Sequence, residues 1–439
     1  MKLNRAFGLF VLLSIVANML AASPAAAMPA GAAPSSVPVM PDSAMQVLSI
    51  TMGGASVLPT TRTVPHWWGS TLDPADGVTY GYNTVGADPN HCAGADCSVT
   101  VQVDITPINV NVGGTTFDSS DVLAAVLASP MFTLNDYGST PAATVVGAWP
   151  YGSPAFPRGP GGVLSQDDAG NALQLEDATM RAQFNQAGDS SYHLILQPHV
   201  MPTAMISVPL TQGSVFQSGR GVLFGFVNTT WWTTQIDSLE QQADATHLAL
   251  YLTNDVLLYM GRNETCCVIG FHGTRAVGRG GGSTNTNGNA VVQTFAWGTY
   301  MSPGLYVRPD TTNWAIQDIL PLSHEIAEWA DDPFVNNWVQ PWISPLFACY
   351  GLLETGDPVN TIGFAMGTNT FQQGPNPNGT QSADGYYHPE DEMFLPWFLR
   401  AAPNSSSEAT QNPSANMGRY SFMGDLNPMP VFRAPAPGC

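Results

Sequence analysis

Apolar and polar residues alternate from Ser98 to Val112, with Val99, Val101, Val103 and Ile105 on one side, and this period of two predicts a strand. Helical spacing takes over in Asp118 to Leu127 behind a Ser/Asp cap, and Leu173 to Phe184 reads as a second helix. Tyr192 to Gln197 predicts a buried strand. Further strands are expected at Gly221 to Asn228, His247 to Met260, Val268 to His272 and Val291 to Tyr300. Between the last two, Gly278 to Asn289 is a Gly/Asn/Ser/Thr run without a packing pattern, expected to be a mobile surface connection. A helix covers at least Leu322 to Ala330 and stops at Asp332-Pro333, because proline disfavours helical geometry in the residue before it. No repeat of fixed period is visible, and the mixture predicts an α+β fold in a single large domain over residues 61–439.

The ends change that picture. Lys2 and Arg5 precede an apolar run from Phe7 to Leu20, and Ala25, Ala26 and Ala27 follow as a small-residue cleavage site, so residues 1–27 read as a secretory signal. The run is shorter than the roughly 20 residues a membrane span needs, and no later segment is long and apolar enough for one. Residues 28–60, rich in Ala, Pro and Ser, read as a flexible leader, with folded sequence starting near Val64. The mature chain is expected to be secreted, extracellular or periplasmic.

Cleavage would leave 11 basic residues, none of them lysine, against 33 acidic ones. Such a chain attracts neither nucleic acid nor an anionic membrane surface. Charged residues are only 10% of the sequence, so the surface relies on uncharged polar groups, a composition that suits work in acid. In an oxidising compartment the six cysteines should pair. Cys92 with Cys97 closes a small Gly/Asp-rich loop; Cys266 and Cys267, adjacent, are expected to reach elsewhere, with Cys349 the foremost partner for one of them.

Chemistry concentrates in Ser323-His324-Glu325-Ile326-Ala327-Glu328-Trp329. On a helix, positions i and i+4 share a face, so His324 and Glu328 can converge on one metal ion with Glu325 beside it, an H-E-x-x-H arrangement with glutamate in place of the second histidine. Downstream, Glu354 and Asp357 in Leu-Glu-Thr-Gly-Asp-Pro could supply a third ligand and an acceptor for the free N–H of the histidine. A histidine and two carboxylates neutralise an ion more fully than two histidines do, admitting Mn²⁺ or Ca²⁺ as competitors to Zn²⁺. His388, in Tyr-Tyr-His-Pro-Glu-Asp-Glu, is a candidate to polarise a substrate carbonyl; His272, between Phe271 and Gly273 at a strand end, could approach the same site but reads as structural.

The helix and the later acids resemble, in arrangement, zinc-dependent peptidases of the gluzincin type. That resemblance implies a zincin-like mixed sheet with an active-site helix, in which His324, Glu328 and Glu354 are metal ligands, Glu325 is the general base and Asp357 is the partner of His324. A second likeness covers about residues 220–400. The order Cys-Cys-Val-Ile-Gly-Phe-His-Gly, Ser-His-Glu-Ile-Ala-Glu-Trp-Ala-Asp-Asp-Pro-Phe-Val-Asn-Asn-Trp and Glu-Thr-Gly-Asp-Pro is similar to bacterial secreted proteins and to the Exordium or phosphate-induced extracellular proteins of plants. The plant likeness rests mainly on Asp332-Pro333-Phe334 and Asn336 to Trp338.

Two functions are therefore expected. One is a secreted metallopeptidase acting on a peptide or protein. The other is a non-catalytic extracellular protein associated with cell wall or polysaccharide, for which Trp67-Trp68, Trp231-Trp232, Trp338 and Trp342 are stacking candidates. No G-x-S-x-G occurs, which argues against an α/β-hydrolase.

Overall fold

In a computed structural model, the structure describes residues 37–41, 44–45, 47, 50–55, 57, 61–74, 76–92, 97–136, 172–184, 191–261, 265–277, 291–306, 316–344, 348–360, 363, 366–371, 385–399 and 421–422. The signal segment and the Gly278 to Asn289 loop lie outside the described residues. The architecture is mixed α+β, and the described residues from Pro38 onward form one compact unit.

The order begins with β1 (Thr51–Met52), β2 (His66–Leu72), β3 (Thr79–Val85), β4 (Cys97–Val112), β5 (Thr115–Phe117) and α1 (Ser120–Leu127). It continues with β6 (Asn135–Asp136), β7 (Ala172–Leu173), α2 (Leu175–Gln183), β8 (Tyr192–Val200), β9 (Ala204–Val208), β10 (Gly213–Gln217) and β11 (Leu223–Asn228). Then come α3 (Thr229–Glu240), β12 (Leu248–Asn254), β13 (Val256–Met260), β14 (Thr265–Val268), β15 (Gly270–Val277) and β16 (Val291–Tyr300). The last are α4 (Leu320–Asp331), β17 (Trp338–Ser344), β18 (Ala348–Leu352) and α5 (Leu395–Phe398).

The main sheet runs β1-β15-β16-β12-β4-β5, with β8 and β9 also pairing β4. Strand β12 is parallel to both β4 and β16, whereas β15 and β16 are antiparallel, with His272 opposite Ala296. Because side chains alternate along a strand, β15 and β16 have two different faces. Phe271, Phe295 and Trp297 point one way and pack with Trp232 of α3. The other face carries Gly270, His272, Thr294, Ala296 and Gly298, and α4 lies against it: Trp329 Nε1 donates to Thr294 Oγ1 at 2.9 Å. Close approach depends on missing side chains, since a Cβ on Gly298 would stand 2.9 Å from Leu322 and one on Gly270 would stand 2.5 Å from Glu325 Oε1.

All twelve residues of α4 are buried. A helix buried on every side differs from an amphipathic surface helix, which would leave its polar positions in water. Its end is fixed by the turn that follows: Asp332 accepts from the backbone N–H groups of Asn336 and Asn337. Asn337 in turn donates to the carbonyls of Asn83 and Asp331 and accepts from the Asn83 N–H.

Several expectations need correction. The stretch His247 to Met260 is two strands in two sheets, because Asp255 adopts a left-handed φ of 50° between them. Val268 to His272 likewise divides between β14 and β15. Part of the supposed leader belongs to the fold: β1 pairs with His272 and Gly273, and Met40 and Met45 are buried in an apolar cluster, so its few apolar residues were enough to anchor it. Cys92 and Cys97 are bonded as expected, but Cys266 and Cys267 are bonded to each other rather than to Cys349. The peptide joining them is cis. Among the described residues no helix is long and apolar enough to cross a membrane.

Candidate metal centre

Proline at the start of α4 and Asp332-Pro333 at its end confine the helix to a few turns, and the i,i+4 relation then does what the spacing requires. His324 Nε2 faces Glu328 Oε1 at 3.1 Å, Asp357 Oδ1 at 3.8 Å and Glu325 Oε1 at 4.0 Å. Asp357 arrives on a short 3-10 turn, Asp357–Val359, after β18. That turn sits directly over the imidazole, for a Cβ on Gly356 would come within 2.4 Å of His324 Nδ1. The other ring nitrogen of His324, Nδ1, is 2.6 Å from Glu390 Oε2 and donates to it when Nε2 is left free as a ligand atom.

A second histidine joins from the sheet. His272 of β15 is fully buried, and its Nδ1 stands 3.4 Å from Glu328 Oε2, 3.6 Å from Glu325 Oε2 and 4.0 Å from Glu354 Oε2. These approaches are too long or misdirected for hydrogen bonds, so both ring nitrogens of His272 lack a hydrogen-bond partner, as do Glu325 Oε2 and Glu328 Oε1. Glu354 also accepts from Tyr350 OH at 3.4 Å.

Electrostatics follow from burial and crowding. Burial alone would lower the pKa of His272 and His324, but the surrounding glutamates outweigh it and raise both well above the usual imidazole value. Burial pushes the Glu325 carboxyl up to about 7 against the pull of His272. For Glu328 burial is overcome by His324 and His272, and its carboxyl is held below the ordinary range. Glu354 is raised by burial and by the Glu328 charge.

Two ligand groups result: His324, Glu328 and Asp357 offer atoms within 4.8 Å of one another, and so do His272, Glu325 and Glu328. Two ligands on one tetrahedral zinc, each at about 2.1 Å, lie roughly 3.4 Å apart, so the spacings of 3.1 to 3.8 Å around His324 suit co-ligands of a divalent cation. Buried polar atoms without partners are costly, which fits residues shaped for an ion.

The sequence-expected residues therefore divide. His324, Glu325, Glu328, Glu354 and Asp357 come together. Glu354 lies on the His272 side rather than beside His324, and Asp357 faces the Nε2 edge while Glu390 occupies the Nδ1 edge. His388 is fully buried and is tied to Asp318 at 2.7 Å and to the Gln317 amide at 3.2 Å. His272, which reads as structural from the sequence, and Glu390, which carries no signal for this role, are the further members. A histidine at a strand end and an acid two residues after His388 have no spacing relation to the helix. Of the tryptophans, Trp68 and Trp338 are 65% and 64% exposed, whereas Trp67, Trp232 and Trp342 are buried.

No protein-family model, curated protein or solved structure matches this chain.

Proposed function

We propose that the protein is a secreted metal-dependent hydrolase of peptide bonds, in which His324 Nε2, Glu328 and Asp357 hold a divalent cation, Zn²⁺ first, with Mn²⁺ and Ca²⁺ as competitors. The observation that carries this reading is the convergence of the buried side chains of His324, Glu328 and Asp357, with Glu390 fixing the far edge of the imidazole. When bound, the cation supplies a Lewis acid that polarises the scissile carbonyl and acidifies a water. Glu325, whose Oε1 is 4.0 Å from His324 Nε2, would be the group that takes a proton from the attacking water and returns it to the leaving amine. His324 is kept from rotating by Glu390 on one edge and Gly356 above it. Export is supported by the charged and apolar N-terminus, the disulfides and the acidic composition.

One observation favours a second reading. The side chains of His324, Glu325, Glu328 and Asp357 are nearly closed to solvent, and the large apolar platforms Trp68 and Trp338 lie open. A non-catalytic extracellular protein with a structural ion and a polysaccharide-facing surface would combine these features. Glu325→Gln separates the two: the hydrolase keeps its metal and loses cleavage of a casein or mixed-peptide substrate, whereas a wild type that holds metal and cleaves nothing supports the binding protein.

A further inference from the structure

Glu328 turns its two oxygens to two different histidines, Oε1 toward His324 at 3.1 Å and Oε2 toward His272 at 3.4 Å. Glu325 does the same at longer range, with Oε1 4.0 Å from His324 Nε2 and Oε2 3.6 Å from His272 Nδ1. Each histidine then has a carboxylate of its own, Asp357 at 3.8 Å from His324 and Glu354 at 4.0 Å from His272. We propose that the centre holds two divalent cations, one at His324 and Asp357 and one at His272 and Glu354, with the carboxylate of Glu328 bridging them and Glu325 completing the second. The inference rests on the metal-binding part of the reading above and adds a second site to it.

Three observations support it. His272 is fully buried on the sheet face that meets α4, and neither ring nitrogen has a hydrogen-bond partner, although Nδ1 points into the acids. Such a ring is costly to bury unless something else satisfies it. Charge gives the second argument: Glu325, Glu328, Glu354, Asp357 and Glu390 together carry five negative charges when ionised, and two divalent cations offset four of them where one would offset two. Third, the donor set of two imidazoles and four carboxylates is hard and oxygen-rich, which suits Mn²⁺, Fe²⁺ or Zn²⁺ better than a thiolate-preferring ion. A Glu325 engaged by the second cation is not free to take a proton. Filling the second site is therefore expected to slow the peptide hydrolysis that one cation supports.

The test is metal stoichiometry. Purified protein is stripped with chelator, titrated with Mn²⁺ or Zn²⁺, passed through a desalting column and assayed by elemental mass spectrometry, with the paramagnetic spectrum of the Mn²⁺ form recorded. Two ions retained per chain and an exchange-coupled Mn²⁺ pair are expected. His272→Gln should retain one ion and lose the coupling, and its metal-free form should keep the thermal transition of the metal-free wild type. Saturation of the wild type at one ion overturns the second site and leaves the single centre standing; retention of none removes both. Absence of peptide cleavage from the protein loaded with a single ion removes the hydrolase reading and leaves the paired centre intact. Two ions still held by His272→Gln, or an uncoupled Mn²⁺ signal from the fully loaded wild type, also overturn the paired arrangement.

Discussion

Glu390 Oε2 meets His324 Nδ1 at 2.6 Å, on the edge of the ring opposite the one that faces Glu328. The acid is fixed in turn, because its own backbone N–H donates to Ser323 Oγ at 3.0 Å. An imidazole held this way has a defined tautomer and a ligand nitrogen aimed at the carboxylates. Replacing Glu390 with glutamine is expected to leave the fold intact and weaken divalent-cation affinity by about 10- to 100-fold. Calorimetric titration of the stripped protein measures it, and an unchanged affinity would show that the Nδ1 contact is incidental.

Gly356 tests the opposite face of the same ring. An added methyl would fall 2.4 Å from Nδ1, and the imidazole cannot yield because Glu390 already holds it. For Gly356→Ala we expect a loss of about 1–3 kcal/mol in unfolding free energy from overpacking, together with at least tenfold weaker metal binding. Chemical denaturation of the metal-free protein reads the first and titration the second.

The turn after α4 should behave differently. Asn337 is buried and its amide makes three hydrogen bonds, to the Asn83 carbonyl at 2.7 Å, the Asp331 carbonyl at 2.6 Å and the Asn83 N–H at 2.8 Å. Asn337→Ala leaves those backbone groups unpaired and is expected to cost about 2–3 kcal/mol. Metal stoichiometry should not change, since the residue reaches none of the ligands. The Asp-Pro-Phe-Val-Asn-Asn segment behind the plant likeness thus has a structural explanation that requires no chemistry.

Stability of the metal-free protein should favour acid. Burial raises Asp255 to about 6, Asp331 to about 7 and Glu240 to about 8, so the folded state holds protons that the unfolded chain releases near its ordinary carboxyl values. The stability these groups contribute is fully present below about pH 4 and is lost as pH rises through their folded values. Asp104, where burial is outweighed by hydrogen bonds from His247 and His199, is shifted down and works the other way, its contribution vanishing as pH falls below its native value. A thermal transition that peaks in mild acid and declines steadily between pH 5 and pH 8 is expected. A transition highest at pH 8 would contradict it.

How much of this was written in the chain depends on the range of the interaction. The period-two run of Ser98 to Val112 was legible because alternation is local, and the His324, Glu328 pair because helical geometry fixes it within one turn. Asp-Pro marked the end of α4 to within two residues. Helix α3 escaped notice, since Thr229–Glu240 carries β-branched and aromatic residues, and only the Asn228 cap, accepting from the Trp231 N–H, signals it. His272 and Glu390 reach the site through tertiary packing, 52 and 66 residues from His324, and no periodicity can report such a meeting. The sharing of Glu328 between two histidines is legible only in space.

The proposed chemistry requires His324, Glu328 and Asp357 to hold a cation, and the metal content of the purified mature protein, measured beside His324→Ala, tests that most directly. We expect at least one divalent ion per wild-type chain and less than a tenth of that occupancy at the His324 site in the variant. A wild type that retains no divalent ion after exposure to Zn²⁺ and Mn²⁺, or a His324→Ala protein that binds them as tightly as wild type, would contradict the centre and the chemistry built on it.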